Sequence, residues 1–215
     1  AIPTAPSSRV PSKLTPCTVL ARAIIVVEKM LSMLLRASSV EPASVNTAAF
    51  GATNNAAIKV NINQNSKSGI LVNGTGTTVK GLAIYNGSDA SVLIYDGHDN
   101  AVKGCYIGIP STGLHTSVYP KTNIDGIDIG GTGSDASSGN TIGGTSVEDM
   151  NIIGGGIYIR GAGSTYNKIY GNYIGTDITG DTAIDRNEAG VYMYDSASYN
   201  AVGGVDANMG NLISG

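Results

Sequence analysis

A nine-residue phrase occurs twice in the chain, as NAVKGCYIG at residues 100–108 and as NKIYGNYIG at residues 167–175. A second phrase, Gly-Ile/Val-x-Ile/Val/Met, and its variant SVLI recur along the same region, starting at Gly69, Ser91, Gly126, Gly156 and Gly190. Subtracting these positions gives intervals of 22, 35, 30 and 34 residues. Short strands repeated at such intervals predict a solenoid, in which each repeat buries its Ile and Val side chains against its neighbours.

The Asn and Gly residues of these phrases suit the turns of such a coil. Gly takes the left-handed backbone conformation without penalty, and Asn tolerates it. Asn side chains at equivalent points of successive coils can also satisfy the polar backbone groups of buried turns. The predicted structural ladder consists of Asn100, Asn140, Asn167 and Asn200. Cys105 stands where the sister phrase has Asn172, so it is predicted to be a turn residue and not a nucleophile.

Alternation along each strand divides the side chains into inward and outward sets. The predicted core residues recur at matching points of successive coils: Ile157, Ile159, Ile169, Ile174, Val191 and Met193. One outward stripe is predicted to hold Leu71, Leu93, Asp128, Tyr158 and Tyr192, and its neighbour Asn73, Tyr95, Gly130, Arg160 and Tyr194. A third set of outward residues, predicted to be exposed, is Ala83, Tyr106 and Tyr173.

Charge and composition exclude several classes of function. The net charge is -3 and Lys and Arg form no cluster, so no nucleic-acid partner is predicted. The apolar stretch at residues 19–35 is interrupted by Arg22, Glu28 and Lys29, so no membrane span is predicted. The sequence contains no HExxH, GxSxG or GxxxxGK[ST] motif.

The first 45 residues differ from the rest. Five of the seven prolines lie there, and apolar residues at helical spacing predict an amphipathic helix at residues 19–36. We therefore divide the chain into an N-terminal arm with a capping helix at residues 1–45 and a coil of strands at residues 46–215. The last phrase, NLISG, ends within a repeat, so further repeats of the same parent chain are expected as partners.

The string GNYIGTDITGDTAIDRNEAGVYMYDSASYNAVGG resembles the right-handed parallel β-helix repeats of bacterial secreted and cell-surface proteins in the pectate-lyase-like superfamily. The resemblance implies an all-β fold, a right-handed single-stranded parallel β-helix with an N-terminal cap. It also implies an extracellular or cell-surface location. Members of the superfamily include polysaccharide lyases and hydrolases, adhesins, and stalks without chemistry.

Tyrosine is the dominant aromatic residue, with eleven Tyr against one Phe and no Trp. A phenol ring offers an apolar face and a polar rim, which suits the C–H faces and hydroxyls of sugars, although Tyr is also a common exposed strand residue. The predicted ligand-binding residues are Tyr158, Tyr192, Tyr194 and Arg160.

Two sets of acidic residues are candidates for chemistry. Asp125 and Asp128, with Arg160 one coil further on, are candidate catalytic residues, against the alternative of solvated loop carboxylates. Asp177, Asp181 and Asp185 share one loop and are candidate calcium ligands, against the alternative of an ordinary turn. No cofactor is otherwise predicted.

Because outward stripes of Tyr, Thr, Ser and Asn predominate, the expected function is a non-catalytic extracellular structural or carbohydrate-contacting module of a larger secreted or surface protein. Its expected partner is a polysaccharide or a cell-surface glycan. The alternative function is a polysaccharide lyase or glycoside hydrolase that acts on an acidic glycan.

Overall fold

The computed structural model describes residues 44–48, 52–58, 60–114, 125–133, 136–184 and 189–214. All of them belong to the unit Pro42–Gly215. The predicted capping helix at residues 19–36 lies outside the described residues, and the boundary between residues 45 and 46 stays a prediction.

The described residues form short β-strands in three parallel sheets. The first sheet contains Val60–Asn63 (β1), Leu82–Tyr85 (β4), Tyr106–Ile107 (β7), Ile152–Ile153 (β10), Tyr173–Ile174 (β13) and Leu212–Ile213 (β16). The second contains Ile70–Val72 (β2), Val92–Tyr95 (β5), Asp125–Gly130 (β8), Gly156–Arg160 (β11) and Val191–Tyr194 (β14). The third contains Thr78–Lys80 (β3), Ala101–Lys103 (β6), Thr141–Gly143 (β9), Lys168–Tyr170 (β12) and Ala201–Val202 (β15).

Successive strands of the chain move from one sheet to the next, so every strand pairs with the strand three places further along. This is the strand order of a parallel β-helix, with one strand from each sheet in every coil. The predicted all-β class is therefore confirmed for the described residues, while the right-handed sense of the coil stays a prediction. The described residues contain one 3-10 turn, Val147–Asp149, and no helix that is long and apolar enough to cross a membrane.

Stacked Ile and Val side chains fill the space between the three sheets. In the second sheet the inward positions at β5, β8 and β11 pair as Ile94, Ile129 and Ile159, all fully buried. The other sheets contribute equivalent columns, which include Val79, Val102, Ile142 and Ile169, and Ile84, Ile107, Ile153 and Ile174. Of the predicted core, Ile157, Ile159, Ile169 and Ile174 are confirmed as fully buried. Val191 and Met193 are half-buried on the edge strand β14 and pack against the same core.

The predicted asparagine ladder runs along the turn between the second and third sheets. The backbone N–H of Asn100 donates to Oδ1 of Asn140 at 2.9 Å, and that of Asn140 donates to Oδ1 of Asn167 at 3.0 Å. The backbone N–H of Asn167 in turn donates to Oδ1 of Asn200 at 2.9 Å. Each side-chain Nδ2 donates to a backbone carbonyl of the preceding coil, for example from Asn140 to Gly97. These four side chains therefore satisfy the backbone polar groups of successive buried turns, as predicted.

A second ladder follows the turn between the third and first sheets. The side-chain Nδ2 of Asn151 donates to Oδ1 of Asn172 at 2.8 Å, and the backbone N–H of Asn172 donates to Oδ1 of Asn211 at 2.9 Å. Cys105 begins this ladder, because its backbone N–H donates to Oδ1 of Asn151 at 2.9 Å. Burial raises the pKa of the Cys105 thiol to about 11, so the sulfur stays protonated and is a poor nucleophile. Cys105 is therefore a turn residue, as predicted.

In three of the coils, from β3 to β4, from β6 to β7 and from β12 to β13, the chain turns between the third and first sheets within one or two residues. Gly104 and Gly171 lie at equivalent points of this turn with φ of 55° and 62°. A Cβ at Gly104 would lie 2.7 Å from the carbonyl oxygen of Glu148, so a larger residue would meet backbone as well as adopt a strained conformation.

The outer face of the first sheet is covered, which corrects the prediction that Ala83, Tyr106 and Tyr173 are exposed. Their exposed fractions are 0%, 2% and 1%. They pack in a second apolar cluster with Ile58, Ile109, Met150, Ile152 and Ile184. The covering segments are tied to one another: the N–H of Asn54 donates to the carbonyl of Ile178, and that of Ile178 to the carbonyl of Gly113. The outward alternation was right, but segments distant in sequence return across this face.

Truncation of Ile159 to Ala should lower the free energy of unfolding by about 2–5 kcal/mol, because it opens a cavity in a fully buried column. Denaturant unfolding measures the change. Leu71→Ala is the control, since Leu71 is 58% exposed and its truncation should cost less than about 0.5 kcal/mol. Equal effects of the two changes would contradict the assigned core.

Asn167→Ala should cost at least about 2 kcal/mol, because the backbone N–H of buried Asn140 loses its acceptor and the Nδ2 of Asn140 loses one of its two. Asn73→Ala, at an exposed position, is the matched control and should be nearly neutral. Chemical denaturation of both variants tests the ladder. A loss at Asn167 no larger than that at Asn73 would show that the ladder contributes nothing.

Replacing Cys105 by Asn should extend the second ladder by one coil. Sγ of Cys105 lies 3.7 Å from the carbonyl oxygen of Val79, and Val79 pairs with Val102, whose carbonyl accepts from Nδ2 of Asn151. We expect the thermal stabilities to follow the order Asn, then Cys, then Ala at position 105. An Asn variant less stable than the Ala variant would contradict the equivalence of these positions.

Candidate functional site

The outer face of the second sheet brings together most of the predicted site residues. Register pairs Leu71 with Leu93, Leu93 with Asp128, Asp128 with Tyr158, and Tyr158 with Tyr192. This is the first predicted stripe in full. In the second stripe, Tyr95 pairs with Gly130 and Arg160 pairs with Tyr194, while Asn73 follows the end of β2. The two stripes therefore lie side by side on one face.

Three tyrosines on the last two coils of this face are in contact, with Tyr192 between the other two. The rings of Tyr192 and Tyr194 stack with centroids 4.9 Å apart and planes 19° apart. The ring of Tyr158 meets that of Tyr192 edge-on, at 6.0 Å and 83°. Tyr192 is 49% exposed, and the other two are half-buried. The three rings lie close together, as predicted, and they form a small aromatic surface open to solvent.

An ion pair lies beside the aromatic surface. Nε of Arg160 donates to Oδ1 of Asp128 at 3.2 Å, and Nη2 donates to Oδ2 at 2.8 Å. The side chain of Asp128 is 10% exposed and that of Arg160 is 40% exposed. Both carboxylate oxygens are thus engaged, and the guanidinium keeps an open edge.

Gly130 makes room for this pair. A Cβ at Gly130 would lie 2.9 Å from Cγ and 3.2 Å from Nε of Arg160, so the arginine stem lies directly over the glycine. A larger residue there would lift the stem from the sheet and disturb its two hydrogen bonds to Asp128.

The ion pair stabilises the charged form of the arginine. Hydrogen bonding to Asp128 raises the pKa of Arg160 above its ordinary value, against the opposing effect of burial, and the phenols of Tyr194 and Tyr95 add to the rise. A guanidinium is protonated at neutral pH even without a partner, and the ion pair reinforces that state, so Arg160 is unsuited to removing a proton from a substrate. Asp125 lies in β8, but its side chain is outside the described part of the structure, so its convergence with Asp128 and Arg160 stays a prediction.

The loop proposed for calcium forms a turn around Asp177. Oδ1 of Asp177 accepts from the backbone N–H of Thr179 at 2.9 Å and from its hydroxyl at 2.5 Å, and the Asp177 carbonyl accepts from the N–H of Gly180. Asp177 is buried, Asp181 is exposed, and Asp185 lies outside the described residues. Within the described ranges no three His, Cys, Asp or Glu side chains are grouped to hold a metal.

A charged cluster on the third sheet was not foreseen from the sequence. Nζ of Lys80 and Nζ of Lys103, on adjacent coils, lie 3.0 Å and 2.9 Å from the two carboxylate oxygens of Asp149. Burial pushes the pKa of Asp149 upward, but the hydrogen bonds from Lys103 and Lys80 outweigh it and hold the pKa below its ordinary value. Asp149 lies in a 3-10 turn that is distant in sequence from Lys80 and Lys103, so no local sequence motif predicts this cluster.

A small hollow adjoins the charged cluster, and its polar lining includes Asn46, Asn54, Lys80 and Glu148. Its volume is about 110 Å³. Ligand pockets usually measure roughly 300–1,000 Å³, so this hollow is too small for a sugar ring with its substituents. The open face of the second sheet remains the better candidate site.

A second aromatic pair was also missed. Tyr166 and Tyr199 stack with ring centroids 5.4 Å apart and planes 11° apart, and they are 60% and 76% exposed. Both have left-handed backbones, with φ of 57° and 56°. That conformation costs a non-glycine residue about 1–2 kcal/mol. Beyond the area that the rings bury, stacking stabilises the pair by only about 0.5–1.5 kcal/mol. The available signal was a tyrosine directly before each of the ladder positions Asn167 and Asn200.

Comparison of the chain with protein-family models, with curated proteins and with solved structures found no match. The arguments about function therefore come from the geometry of this chain, and the likeness to the pectate-lyase-like superfamily remains a resemblance in its repeats.

Proposed function

We propose that this chain is a non-catalytic extracellular module that contacts carbohydrate through the outer face of its second sheet, as part of a larger secreted or surface protein. The observation that carries the proposal is the contact of Tyr158, Tyr192 and Tyr194 beside the Asp128–Arg160 pair. Aromatic faces stack on the C–H faces of sugars, and a guanidinium with an open edge can donate to their hydroxyls.

The size of the surface suits one or two sugar units. Adjacent coils are separated by about 4.8 Å, the usual strand spacing, so Asp128, Tyr158 and Tyr192 span about 10 Å. The surface is open, and its aromatic residues lie on rigid strands instead of a closing loop. We therefore expect weak, readily reversible binding without a metal requirement.

The charges of this face favour a neutral sugar. In the described strands of the second sheet Arg160 carries the one positive charge, and Asp128 neutralises it. Asp96 and Asp195, in the turns that follow β5 and β14, are exposed carboxylates. An acidic glycan would gain little attraction here, because it needs an excess of positive charge.

A polysaccharide lyase or glycoside hydrolase that acts on an acidic glycan is the second candidate. In its favour, Asp128 and Arg160 meet from adjacent coils on one open face. Against it, both oxygens of Asp128 bind Arg160, and the raised pKa of Arg160 makes it a poor base. A hydrolase would also need a second carboxylate at a suitable separation.

The remaining parts of the proposal rest on the repeat resemblance. It supports membership of the pectate-lyase-like superfamily, a right-handed coil, an extracellular or cell-surface location, and further β-helix repeats as neighbours in the parent chain. No cofactor is proposed for the tyrosine surface. Calcium at Asp177, Asp181 and Asp185 is a separate hypothesis, and calorimetric titration with Ca²⁺ tests it.

The double variant Tyr158→Ala/Tyr192→Ala should weaken binding of neutral oligosaccharides at the second sheet at least tenfold, read from the ring signals of Tyr194, because the stacking surfaces of both replaced rings are lost. Titration followed by NMR measures this with hexamers of glucose, xylose, mannose and galactose, and with oligogalacturonate with and without calcium. We expect dissociation constants near the millimolar range, about -4 kcal/mol. Tyr170→Ala, on the outer side of the third sheet, is the matched control and should bind as the unaltered chain does.

The same mixtures are assayed for new reducing ends or unsaturated products. Product formation that disappears in Asp128→Asn would overturn the non-catalytic proposal and support the enzyme. Binding that is unaffected by the loss of Tyr158 and Tyr192 would show that this face is not the contact surface.

A further inference from the structure

The turn between the second and third sheets carries a column of residues with left-handed backbones, each directly before a ladder asparagine or, in the first coil, before Thr77. The column consists of Gly76, Asp99, Gly139, Tyr166 and Tyr199, with φ of 71°, 52°, 70°, 57° and 56°. Its first three members show that the fold accepts Gly or Asp at this point. Tyrosine, whose bulk makes this conformation unfavourable, is therefore not required by the turn.

The packing of Tyr166 and Tyr199 does not explain them either. Both side chains are mostly exposed, so neither fills the core. Beyond the area that they bury, their stacking on each other is worth less than the two left-handed backbones cost. Backbone strain that the fold does not need, at an exposed aromatic pair, points to a role outside folding.

The neighbouring column on the same turn is polar. Thr165 and Ser198 directly precede the two tyrosines and form a parallel bridge. In the preceding coils the equivalent positions hold Ser138 and His98, whose Oγ and Nδ1 lie 3.0 Å apart. Hydroxyl and imidazole groups thus follow the edge of the aromatic pair over four coils. Such surroundings suit a polyhydroxylated ring better than an apolar peptide or a lipid chain.

The charged residues near the aromatic pair are of opposite sign. Asp99 and Lys168 are both exposed near the column, one negative and one positive. The carboxylate of Asp99 reaches over Gly139, the residue between Asp99 and Tyr166 in the column, because a Cβ at Gly139 would lie 2.3 Å from Oδ1 of Asp99. An acceptor for sugar hydroxyls is therefore available on the Tyr166 side of the stack.

We propose that Tyr166 and Tyr199, with the hydroxyl column beside them, form a second binding site for neutral oligosaccharides, separate from the tyrosines of the second sheet. One sugar ring stacks on the free face of the aromatic pair, and its hydroxyls bond to Thr165, Ser198 and Asp99. The site lies at a corner of the coil, so it could be occupied together with the face of the second sheet.

The test exploits the left-handed backbone. Tyr166→Gly/Tyr199→Gly removes both rings but suits the local conformation, as Gly76 and Gly139 do. We expect an unchanged or higher melting temperature. We also test hexamers of glucose, xylose, mannose and galactose for a shift of the ring signals of Tyr166 and Tyr199 in the unaltered full chain. The hexamer that shifts them should bind at least tenfold more weakly at this corner of the Gly variant, read in both chains from the backbone amide signals of Thr165 and Ser198. Tyr166→Phe/Tyr199→Phe keeps the stack and should retain most of the affinity.

The two proposed sites are told apart with Tyr158→Ala/Tyr192→Ala, which should leave the signals of Tyr166 and Tyr199 responsive to the sugar. A clear drop in melting temperature in the Gly variant would show that the rings serve stability, and would overturn the proposal. So would the absence of any response of these two rings to all four hexamers in the unaltered chain.

Discussion

The hydrogen bond from the backbone of one coil to an asparagine side chain of the next is the interaction on which the rest of this structure depends. A solenoid of short strands buries a turn at every corner, and each buried N–H or carbonyl without a partner would cost free energy. Asn140 and Asn167 bond to such backbone groups between the second and third sheets, and Asn151 and Asn172 do so between the third and first. Because each ladder step joins equivalent points of two coils, it also fixes their register.

Fixed register determines what the surface can do. Once the Ile and Val columns face inward, outward side chains on successive coils are held about one strand spacing apart, and aromatic residues placed there meet without a dedicated pocket. Tyr192 and Tyr194 stack on the second sheet, while Tyr166 and Tyr199 stack at a corner. The function of such a fold depends on which side chains occupy the outward columns, because the backbone varies little from coil to coil. The strained backbone of the corner pair suggests that its aromatic character serves more than stability.

Much of this arrangement could be predicted from the sequence, because the repeated phrases align residues of successive coils. The stripe from Leu71 to Tyr192 and the ladder from Asn100 to Asn200 follow directly from that alignment. The errors concern contacts that repeats do not encode. Tyr106 and Tyr173 point outward as alternation requires, yet they are buried because segments from distant parts of the chain cross their sheet. The engagement of Asp128 by Arg160 depends on side-chain conformation and on the space above Gly130, which spacing alone does not reveal. The second ladder was obscured because a cysteine stands at its first position.

Hydrogen exchange of the asparagine side-chain amides tests the central claim most directly. The Nδ2 protons of Asn140, Asn151, Asn167 and Asn172 are buried and hydrogen-bonded to neighbouring coils, so their exchange should be slowed to the rate of global opening. The side-chain amide of Asn73, which is exposed, should exchange as it does in an unfolded peptide. Ladder amides that exchange as fast as that of Asn73 in the folded protein would contradict the account, because the coils would then be held in register by something other than these asparagines.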